Sequence, residues 1–459
     1  MEPAPAPLPA TGHGLETSAR RKREKCMQST SGRATPALVW LCVVQGCERF
    51  AFTAILPLFV LYLHRRHGLT EPTALLVLGL FNALSYVGGL PGGMLTDHRL
   101  GPTTGLLLGV ALLTLGHALL ASDVALLLWP ALAIVVAGHS LFRPSMTTLI
   151  GATSSTDAGR DRSFLIQYLA INVAGIVGPL CAERTWAGAY WPRLFTLATI
   201  VLLLGALLLA SLASRLPQAE PQPLPMHREG HPDTNTRDRW RAVWLLSALA
   251  VVFWLTAMQP GGSLALFAES NTARSITLNG HSIRIGPTDF ASLHGLLVIA
   301  LLPAWGLLAT WLREHDAEPS TPLKMVWGYV FTSAAFALLA AVSLRFGDGA
   351  RVHPGWLLGC YILLSIAEIF LGPLSMSLIT RLAPAGRSGQ AIGLWFAAGA
   401  VGNVAAGLLG LLWSRWPHGL FFAVLAAVSL CAAGVLLLRT ARLDAVLRND
   451  CLDESGGRR

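Results

Sequence analysis

Apolar stretches of about 20 residues recur along the whole chain, and they constrain its fold more than any other feature. A helix of roughly 20 residues matches the ~30 Å hydrocarbon core of a lipid bilayer. The chain is 53% hydrophobic and only 13% charged, which excludes a division of its 459 residues into soluble domains. The pattern predicts an all-α polytopic membrane protein with twelve transmembrane helices, at 37–63, 73–96, 104–121, 124–150, 164–181, 194–213, 242–268, 289–312, 325–344, 355–380, 391–413 and 419–438.

Most basic residues lie between and beyond these predicted spans. The net charge of +9 therefore does not indicate a nucleic-acid partner. Lys and Arg are concentrated in the N-terminal tail, a central linker and the C-terminal end, as the positive-inside rule produces for cytoplasmic segments. We predict cytoplasmic N- and C-termini and a location in the cell (plasma) membrane. Cysteine and histidine spacings show no ligand set, so we expect no metal and no other cofactor.

A central segment rich in proline, histidine and charge, residues 214–241, divides the predicted spans into two blocks of six. Such a composition cannot bury apolar surface. Two six-helix halves joined by a cytoplasmic loop resemble the major facilitator fold, in which substrate binds at mid-membrane between the halves. The predicted organisation is a disordered basic tail (1–36), an N-terminal bundle (37–213), the linker, a C-terminal bundle (242–438) and a cytoplasmic tail (439–459).

Two adjacent charged residues, Glu48 and Arg49, interrupt predicted span 1 near its middle. Placing charges at this depth costs a few kcal/mol, so such residues usually face a polar cavity. Adjacent helical positions point about 100° apart, so both side chains can line the same cavity. An ion pair that locks helix packing is the alternative.

Two of the connecting segments carry local signals. The junction of spans 2 and 3, Gly92 to Gly101, resembles the facilitator loop G-x-x-x-D-(R/K)-x-G, in which Asp97 would form a gating charge latch within one half. A solvated helix end is the alternative for Asp97. In the loop after span 7, Asn279 and Gly280 stand between alternating residues, which predicts a small β-hairpin over 276–285.

Several segments together resemble the proton-dependent oligopeptide transporter (POT/PTR) family of the major facilitator superfamily, and the chain looks like a divergent member. No single segment would suffice, but the segments follow one another in the order expected of that family. They are Gln45 to Phe52 for E-x-x-E-R-F-x-Y, Phe142 to Ser145 for F-K-P-N, Ile171-Asn172 with Gly175 for I-N-x-G, Phe253-Trp254 with Gly261 and Phe267-Ala268 in span 7, Ala367-Glu368-Ile369 with Pro373 in span 10, and Gly393 to Phe396 with Gly402-Asn403 in span 11.

The resemblance implies a secondary active transporter, not an enzyme, that moves di- or tripeptides or peptide-like zwitterions together with protons by alternating access. Glu368 would bind the amino terminus of the peptide and Arg143 its carboxylate, because a dehydrated zwitterion needs opposed fixed charges. Asn172 would hydrogen-bond the peptide backbone, and Trp254 and Trp395 would form walls of side-chain pockets. Packing is the alternative for Glu368 and for both tryptophans. The predicted substrate-binding residues are Arg49, Tyr86, Arg143, Asn172, Trp254, His294, Glu368 and Trp395, and the predicted proton-coupling residues are Glu48 and Glu368.

The chain departs from the family pattern at positions that bear on proton coupling. Gln45 replaces the first acid of the signature, and Met258 stands where the family usually has a glutamate. Arg143 replaces a lysine, and a guanidinium cannot serve as a proton relay because it does not deprotonate at accessible pH. The titratable groups that remain near mid-membrane are Glu48, Glu368 and, as candidates, His139 and His294.

Two other function classes stay open. A uniporter or exporter of an organic anion on the same fold would use Arg49 and Arg143 to hold the anion, with proton coupling lost. An intramembrane enzyme or a non-transporting peptide receptor is the third class, but the sequence has no nucleophile–base pair or H-E-x-x-H-like motif to support it.

Overall fold

The computed structural model describes residues 36–153, 157–186, 190–216, 236–278, 281–384 and 387–456. Within these ranges, twelve helices are long and apolar enough to cross a membrane, which confirms the predicted all-α, multi-pass fold. Nearly all of the predicted tail 1–36, and residues 217–235 of the predicted linker, lie outside the described residues. The spans are, in chain order, Pro36–His67, Glu71–Leu100, Pro102–Ala121, Ala125–Gly151, Ile166–Thr185, Trp191–Leu212, Thr236–Ser270, Pro287–Glu314, Thr321–Phe346, Pro354–Ile379, Gln390–Gly410 and His418–Val446.

Short connections join most of the regular elements, and polar side chains cap some of the helices. The Asp289 carboxylate, for example, accepts a hydrogen bond from the Gly286 N–H (2.8 Å) where span 8 begins. The elements are α1 (Pro36–His67), α2 (Glu71–Val87), α3 (Gly89–Leu95) with a π-helical turn (Thr96–Leu100), α4 (Pro102–Ala121), α5 (Leu128–Gly151), α6 (Asp157–Trp186), α7 (Trp191–Leu212), α8 (Thr236–Ala257), α9 (Ser263–Ser270), β1 (Ser275–Leu278), β2 (His281–Arg284), α10 (Pro287–Glu314), α11 (Thr321–Phe346), α12 (Pro354–Leu382), α13 (Ser388–Gly410) and α14 (His418–Gly456).

Span 7 is broken between α8 and α9, whereas the sequence predicted a continuous helix over 242–268. A 3-10 turn, Gln259–Gly261, separates the two pieces. Pro260 explains the break, because it has no N–H to donate within a helix. The turn packs against span 1 of the first half, and a Cβ on Gly261 would lie 3.1 Å from Leu56 Cγ. The break therefore brings the two halves into close contact.

The two ends of the helical bundle differ in how the halves meet. We call the end that carries β1 and β2 the hairpin end, and the end at which span 6 finishes and span 7 begins the linker end. One apolar core runs through the first half and continues into the hairpin end of the second half, where it includes Phe267, Phe336 and Phe422. A separate core, which includes Tyr329 and Leu378, belongs to the linker end of the second half alone. Among the described residues, the halves thus share a core only at the hairpin end.

Polar contacts reinforce this closure at the hairpin end. Arg65 of span 1 pairs with Glu269 at the end of α9, and Arg274 also contacts that carboxylate at 2.5 Å. The Thr288 hydroxyl, at the start of span 8, donates a hydrogen bond to Glu183 of span 5. The Arg65–Glu269 and Glu183–Thr288 contacts each join the first half to the second.

The connection after span 7 forms the predicted hairpin. Strands β1 and β2 pair antiparallel, with Ser275 opposite Arg284. The predicted turn residues, 279–280, lie outside the described residues.

The last helix, α14, continues well beyond the predicted end of span 12. It extends to Gly456 and so runs through most of the segment 439–459 that was predicted as a cytoplasmic tail. Neither proline nor glycine occurs between Gly434 and Gly456. Leu443 is also buried in the linker-end core. The absence of helix-breaking residues and this apolar contact explain why the helix continues past the membrane span, which ends at Val446.

Candidate functional site

Glu48 of span 1 lies at the centre of a buried polar cluster in the first half. Its side chain is 1% exposed, and its carboxylate accepts a hydrogen bond from Gln45 Nε2 at 2.8 Å. Gln45 accepts in turn from the side-chain amide of Gln167 at 3.2 Å. Arg49 Nη2 lies 3.6 Å from the carboxylate, and His139 Nδ1 lies 3.2 Å from it. Three polar neighbours thus compensate this buried charge, as burial of an ionised group requires.

Aromatic rings, rather than a carboxylate, hold the guanidinium group of Arg143 in span 4. Its Cζ lies 4.9 Å from the centre of the Tyr86 ring and 5.7 Å from that of Phe52. Arg49 Cζ also lies 5.2 Å from the Phe52 ring. A cation–π contact contributes about 0.5–2 kcal/mol. Arg143 makes no salt bridge within the part of the chain that the structure describes, so its charge is available to an anionic ligand.

Glu368 of span 10 pairs with His294 of span 8 in the second half. His294 Nε2 lies 2.7 Å from Glu368 Oε2, and Nδ1 lies 2.7 Å from the hydroxyl oxygen of Ser365. When Nε2–H donates to the carboxylate, Nδ1 of the neutral ring can only accept, and the Ser365 hydroxyl can donate either to Nδ1 or to the Tyr361 carbonyl oxygen, 2.7 Å away. The Glu368 side chain is 43% exposed, in contrast to that of Glu48, because it lines a cavity.

This cavity, of about 320 Å³, lies among spans 7 to 11, and Phe253, Trp254 and Trp395 form its aromatic wall. The rings of Trp254 and Trp395 meet edge to face on its wall, with centroids 5.3 Å apart. Tyr86 of the first half contacts Trp254, with centroids 4.9 Å apart. A series of contacts therefore runs from Arg143 through Tyr86 and Trp254 to the cavity lined by Glu368.

Two residues of span 5 complete the polar surface of the first half near this cavity. The Asn172 side chain is half-buried and donates to the Tyr168 carbonyl oxygen at 2.8 Å. A Cβ on Gly295, next to His294 in span 8, would lie 3.2 Å from Ile176 Cγ1 of span 5. Span 5 therefore faces the same region as the Glu368–His294 pair.

Asp97 lies apart from these groups. It is exposed in the π-helical turn Thr96–Leu100 at the linker end. No ion pair joins Asp97 to another residue in the described ranges. The gating latch therefore stays a prediction.

Ser365 and Phe52 complete the site but were missing from the predicted set, and His139 was named only as a candidate titratable group. Ser365 lies one turn before Glu368, and His139 lies one turn before Arg143, so helical spacing could have indicated both. Phe52 was noted in the sequence only as a replacement for tyrosine. Its ring contacts the His139 ring edge to face, with centroids 5.5 Å apart.

Two helical halves that share a core at one end only, with a polar and aromatic cavity that the first half contacts through Tyr86, are typical of membrane transporters of the alternating-access class. The chain belongs to the Major Facilitator Superfamily, whose family model matches residues 41–396. It is 26% identical over 437 residues to the peptide transporter YePEPT of Yersinia enterocolitica, covering 79% of this chain and 85% of that protein. It is 23% identical over 476 residues to the di-/tripeptide transporter of Lactococcus lactis subsp. cremoris, covering 87% and 94%.

Solved structures show the same fold. A POT family transporter in complex with 5-aminolevulinic acid superposes with a TM-score of 0.81 at 20% identity, covering 88% of this chain and 96% of that one. A peptide transporter POT in complex with sulfate gives a TM-score of 0.81 at 24% identity, covering 89% and 95%. Together with the similar sequences, these structures confirm the predicted resemblance to the oligopeptide transporter family.

Proposed function

We propose that this protein is a proton-coupled symporter of di- and tripeptides or of peptide-like zwitterions. The observation that carries the proposal is the contact series from Arg143, which lacks an anionic partner among the described residues, to the cavity lined by Glu368. A zwitterion that leaves water needs a cation for its carboxylate and a carboxylate for its ammonium group. The Yersinia and Lactococcus relatives, which are named as peptide transporters, support the same substrate class.

In this proposal each end of the substrate binds to a different half of the protein. Arg143, with Arg49 beside it, binds the substrate carboxylate, and Glu368 binds the ammonium group. His294 holds the Glu368 carboxylate in place within the cavity. Tyr86, Trp254, Trp395 and Asn172 contact the side chains and backbone of the peptide.

We place both termini in the cytoplasm, so that the hairpin end faces the outside of the cell membrane. The concentration of Lys and Arg at the chain ends supports this orientation. The structure is then closed to the outside by the Arg65–Glu269 and Glu183–Thr288 contacts. Opening to the outside would require both contacts to break as the halves rock against each other. Asp97 would act in that motion as the latch of the first half.

Glu48 and Glu368 are the proposed proton-coupling groups. Each carboxylate has an imidazole within 3.2 Å, from His139 or from His294. Protonation of either pair changes the charge next to one end of the bound substrate.

The site does not favour the organic-anion alternative. Arg49 and Arg143 could hold a single negative group, but Glu368 lines the cavity to which they are connected. A ligand without a positive group would leave that carboxylate uncompensated and would be repelled by it. With either substrate, the protein is proposed as a transporter and not as an enzyme.

The test is uptake of radiolabelled alanyl-alanine into proteoliposomes. With a pH gradient that is alkaline inside, we expect accumulation above the external concentration, and a protonophore should abolish it. N-acetyl-alanyl-alanine, which lacks the ammonium group, is the control substrate and should enter poorly. Uptake that does not depend on the pH gradient would contradict proton-coupled symport. Equal transport of both compounds would contradict the requirement for a zwitterionic substrate.

A further inference from the structure

A cavity of about 20 Å³ lies inside the first half, between Glu48 and the hairpin end. Spans 1 to 4 form its walls with aliphatic and aromatic side chains, apart from two histidines, His117 and His139. Both imidazoles are buried. A cavity above roughly 10–15 Å³ accommodates one water molecule, provided that polar partners face it. This cavity therefore has the size for one water and two imidazoles to bind it.

Hydrogen bonding determines which nitrogen of each ring carries a proton. His117 Nδ1 lies 2.7 Å from the Leu113 carbonyl oxygen, which can only accept, so Nδ1 is protonated and Nε2 has a lone pair. His139 Nδ1 faces the Glu48 carboxylate at 3.2 Å, which is also an acceptor, although the geometry falls short of a formed hydrogen bond. His139 Nε2 is buried and has no hydrogen-bond partner among the described residues. A buried lone pair beside a water-sized cavity is well placed to accept a proton.

The charges near His139 decide when that proton can bind. With both imidazoles neutral, one carboxylate and two guanidinium groups leave an excess of one positive charge. A further proton is therefore opposed until an anion enters the cluster. The titratable and charged groups on the helices packed against His139 are Glu48 and Arg49 on span 1, Tyr86 on span 2, His117 on span 3 and Arg143 on span 4.

We propose that His139, through Nε2 and the cavity beside His117, binds the proton that is coupled to the substrate carboxylate. As the cavity water passes one proton to Nε2 and takes up another that comes from bulk solvent, an imidazolium ion forms and the water is restored. The Nδ1 proton can then move to Glu48 Oε1, which leaves a neutral imidazole and a carboxylic acid. In either form the Glu48–His139 pair has gained one proton.

This inference deepens the proposed function, because it takes the anion to be the carboxylate of a peptide bound at Arg143. That carboxylate cancels the excess positive charge and so favours protonation of the Glu48–His139 pair. By thermodynamic linkage the bound proton favours the substrate carboxylate to the same extent. Coupling of this kind typically changes affinity by roughly 5–150-fold.

The test compares two modes of transport in proteoliposomes for the variant His139→Asn. Asparagine keeps a polar side chain at this position but cannot bind a proton. At saturating dipeptide, where the loss of affinity expected from the linkage does not limit the rate, we expect counterflow, which needs no net proton movement, to stay within about 3-fold of wild type and gradient-driven accumulation to fall at least ~10-fold. The matched control is His315→Asn, an exposed imidazole in the turn after span 8, which should keep both modes.

Accumulation that persists in His139→Asn would overturn the inference. Loss of both modes in a variant that unfolds at the wild-type temperature would also overturn it, because His139 would then act in substrate binding. If the wild-type protein itself shows no counterflow, the result contradicts the proposed peptide transport and not the role of His139.

A second measurement needs neither a folded Asn variant nor transport. In ¹⁵N-histidine NMR of the wild-type protein, the His139 resonances, assigned with His139→Gln, should report proton binding at Nε2 as the pH is lowered without substrate. Addition of alanyl-alanine should move that titration to higher pH. A His139 signal that never titrates would refute the proton-binding role independently of the substrate.

Discussion

The two carboxylates at mid-membrane, Glu48 in the first half and Glu368 in the second, have opposite surroundings. Glu48 is 1% exposed, and three polar neighbours compensate its charge. Glu368 is 43% exposed and pairs with His294 alone while it faces a cavity. The difference shows that depth in the bilayer does not by itself assign a role. An enclosed carboxylate supports its neighbours, whereas an open one is available to a ligand.

The two carboxylates should differ most in how much their removal lowers the free energy of unfolding. Glu48→Ala leaves the half-buried Arg49 guanidinium without its carboxylate, and breaking a pair with a buried partner in this way costs up to about 3–5 kcal/mol. Glu368→Ala should cost under about 1 kcal/mol, because His294 can then hydrogen-bond to water in the cavity. Chemical unfolding in detergent measures both free energies. Equal losses for the two variants would contradict the contrast between enclosed and open carboxylates.

The next effect is on substrate binding. Glu368→Gln removes the charge that faces the ammonium group while keeping the shape of the side chain. We expect affinity for alanyl-alanine to fall by about 2–3 kcal/mol, or roughly 30–150-fold. Binding of the N-acetylated dipeptide should change little, which serves as the control, and isothermal titration calorimetry measures both. Equal loss for the two ligands would assign Glu368 to packing.

A third, smaller effect tests the ion pairs that help to close the hairpin end, away from Glu368. Glu269→Gln weakens the contacts with Arg65 and Arg274 at the hairpin end, and we expect a shift of about 1–2 kcal/mol toward a state open at that end. Spin labels on the hairpin ends of spans 1 and 7 should report longer distances. The surroundings of Glu48, within one half, should stay unchanged. Unchanged label distances would show that the apolar core and the Glu183–Thr288 contact keep the hairpin end closed without the Glu269 ion pairs.

The smallest effect comes from a carboxylate outside the membrane spans. Hydrogen bonds from Arg313 and Lys324 lower the pKa of Glu318 from 4.5 to about 2. A lowered pKa in the folded state stabilises the fold above about pH 4.5, and this contribution is lost as the pH falls toward about 2. Because the Arg313 side chain is 70% exposed and its ion pair with Glu318 lies at the surface, Glu318→Gln should cost less than about 1 kcal/mol at neutral pH. Thermal unfolding at several pH values should show this difference shrink below about pH 4.5; a constant difference would exclude the ion pair as its cause.

Apolar patterning predicted the number of spans and the hairpin, because a bilayer requires about 20 apolar residues per helix and Asn-Gly favours a two-residue turn. It missed the break at Pro260 within span 7, and it ended span 12 at residue 438, whereas α14 continues to Gly456. Hydropathy averages over a window and is therefore insensitive to one missing N–H or one buried leucine. The motif order predicted the separate site residues but not that His139 contacts Glu48 or that Ser365 contacts His294.

The sequence by itself determined that this chain crosses a membrane twelve times and carries ionisable side chains at mid-membrane, since length, hydropathy and composition depend only on residue order. Tertiary structure decided which end of the bundle is closed and which carboxylate is enclosed. It also placed both histidines of the first half beside one small cavity. These are properties of contacts between helices far apart in the chain, and no local pattern encodes the distance between them.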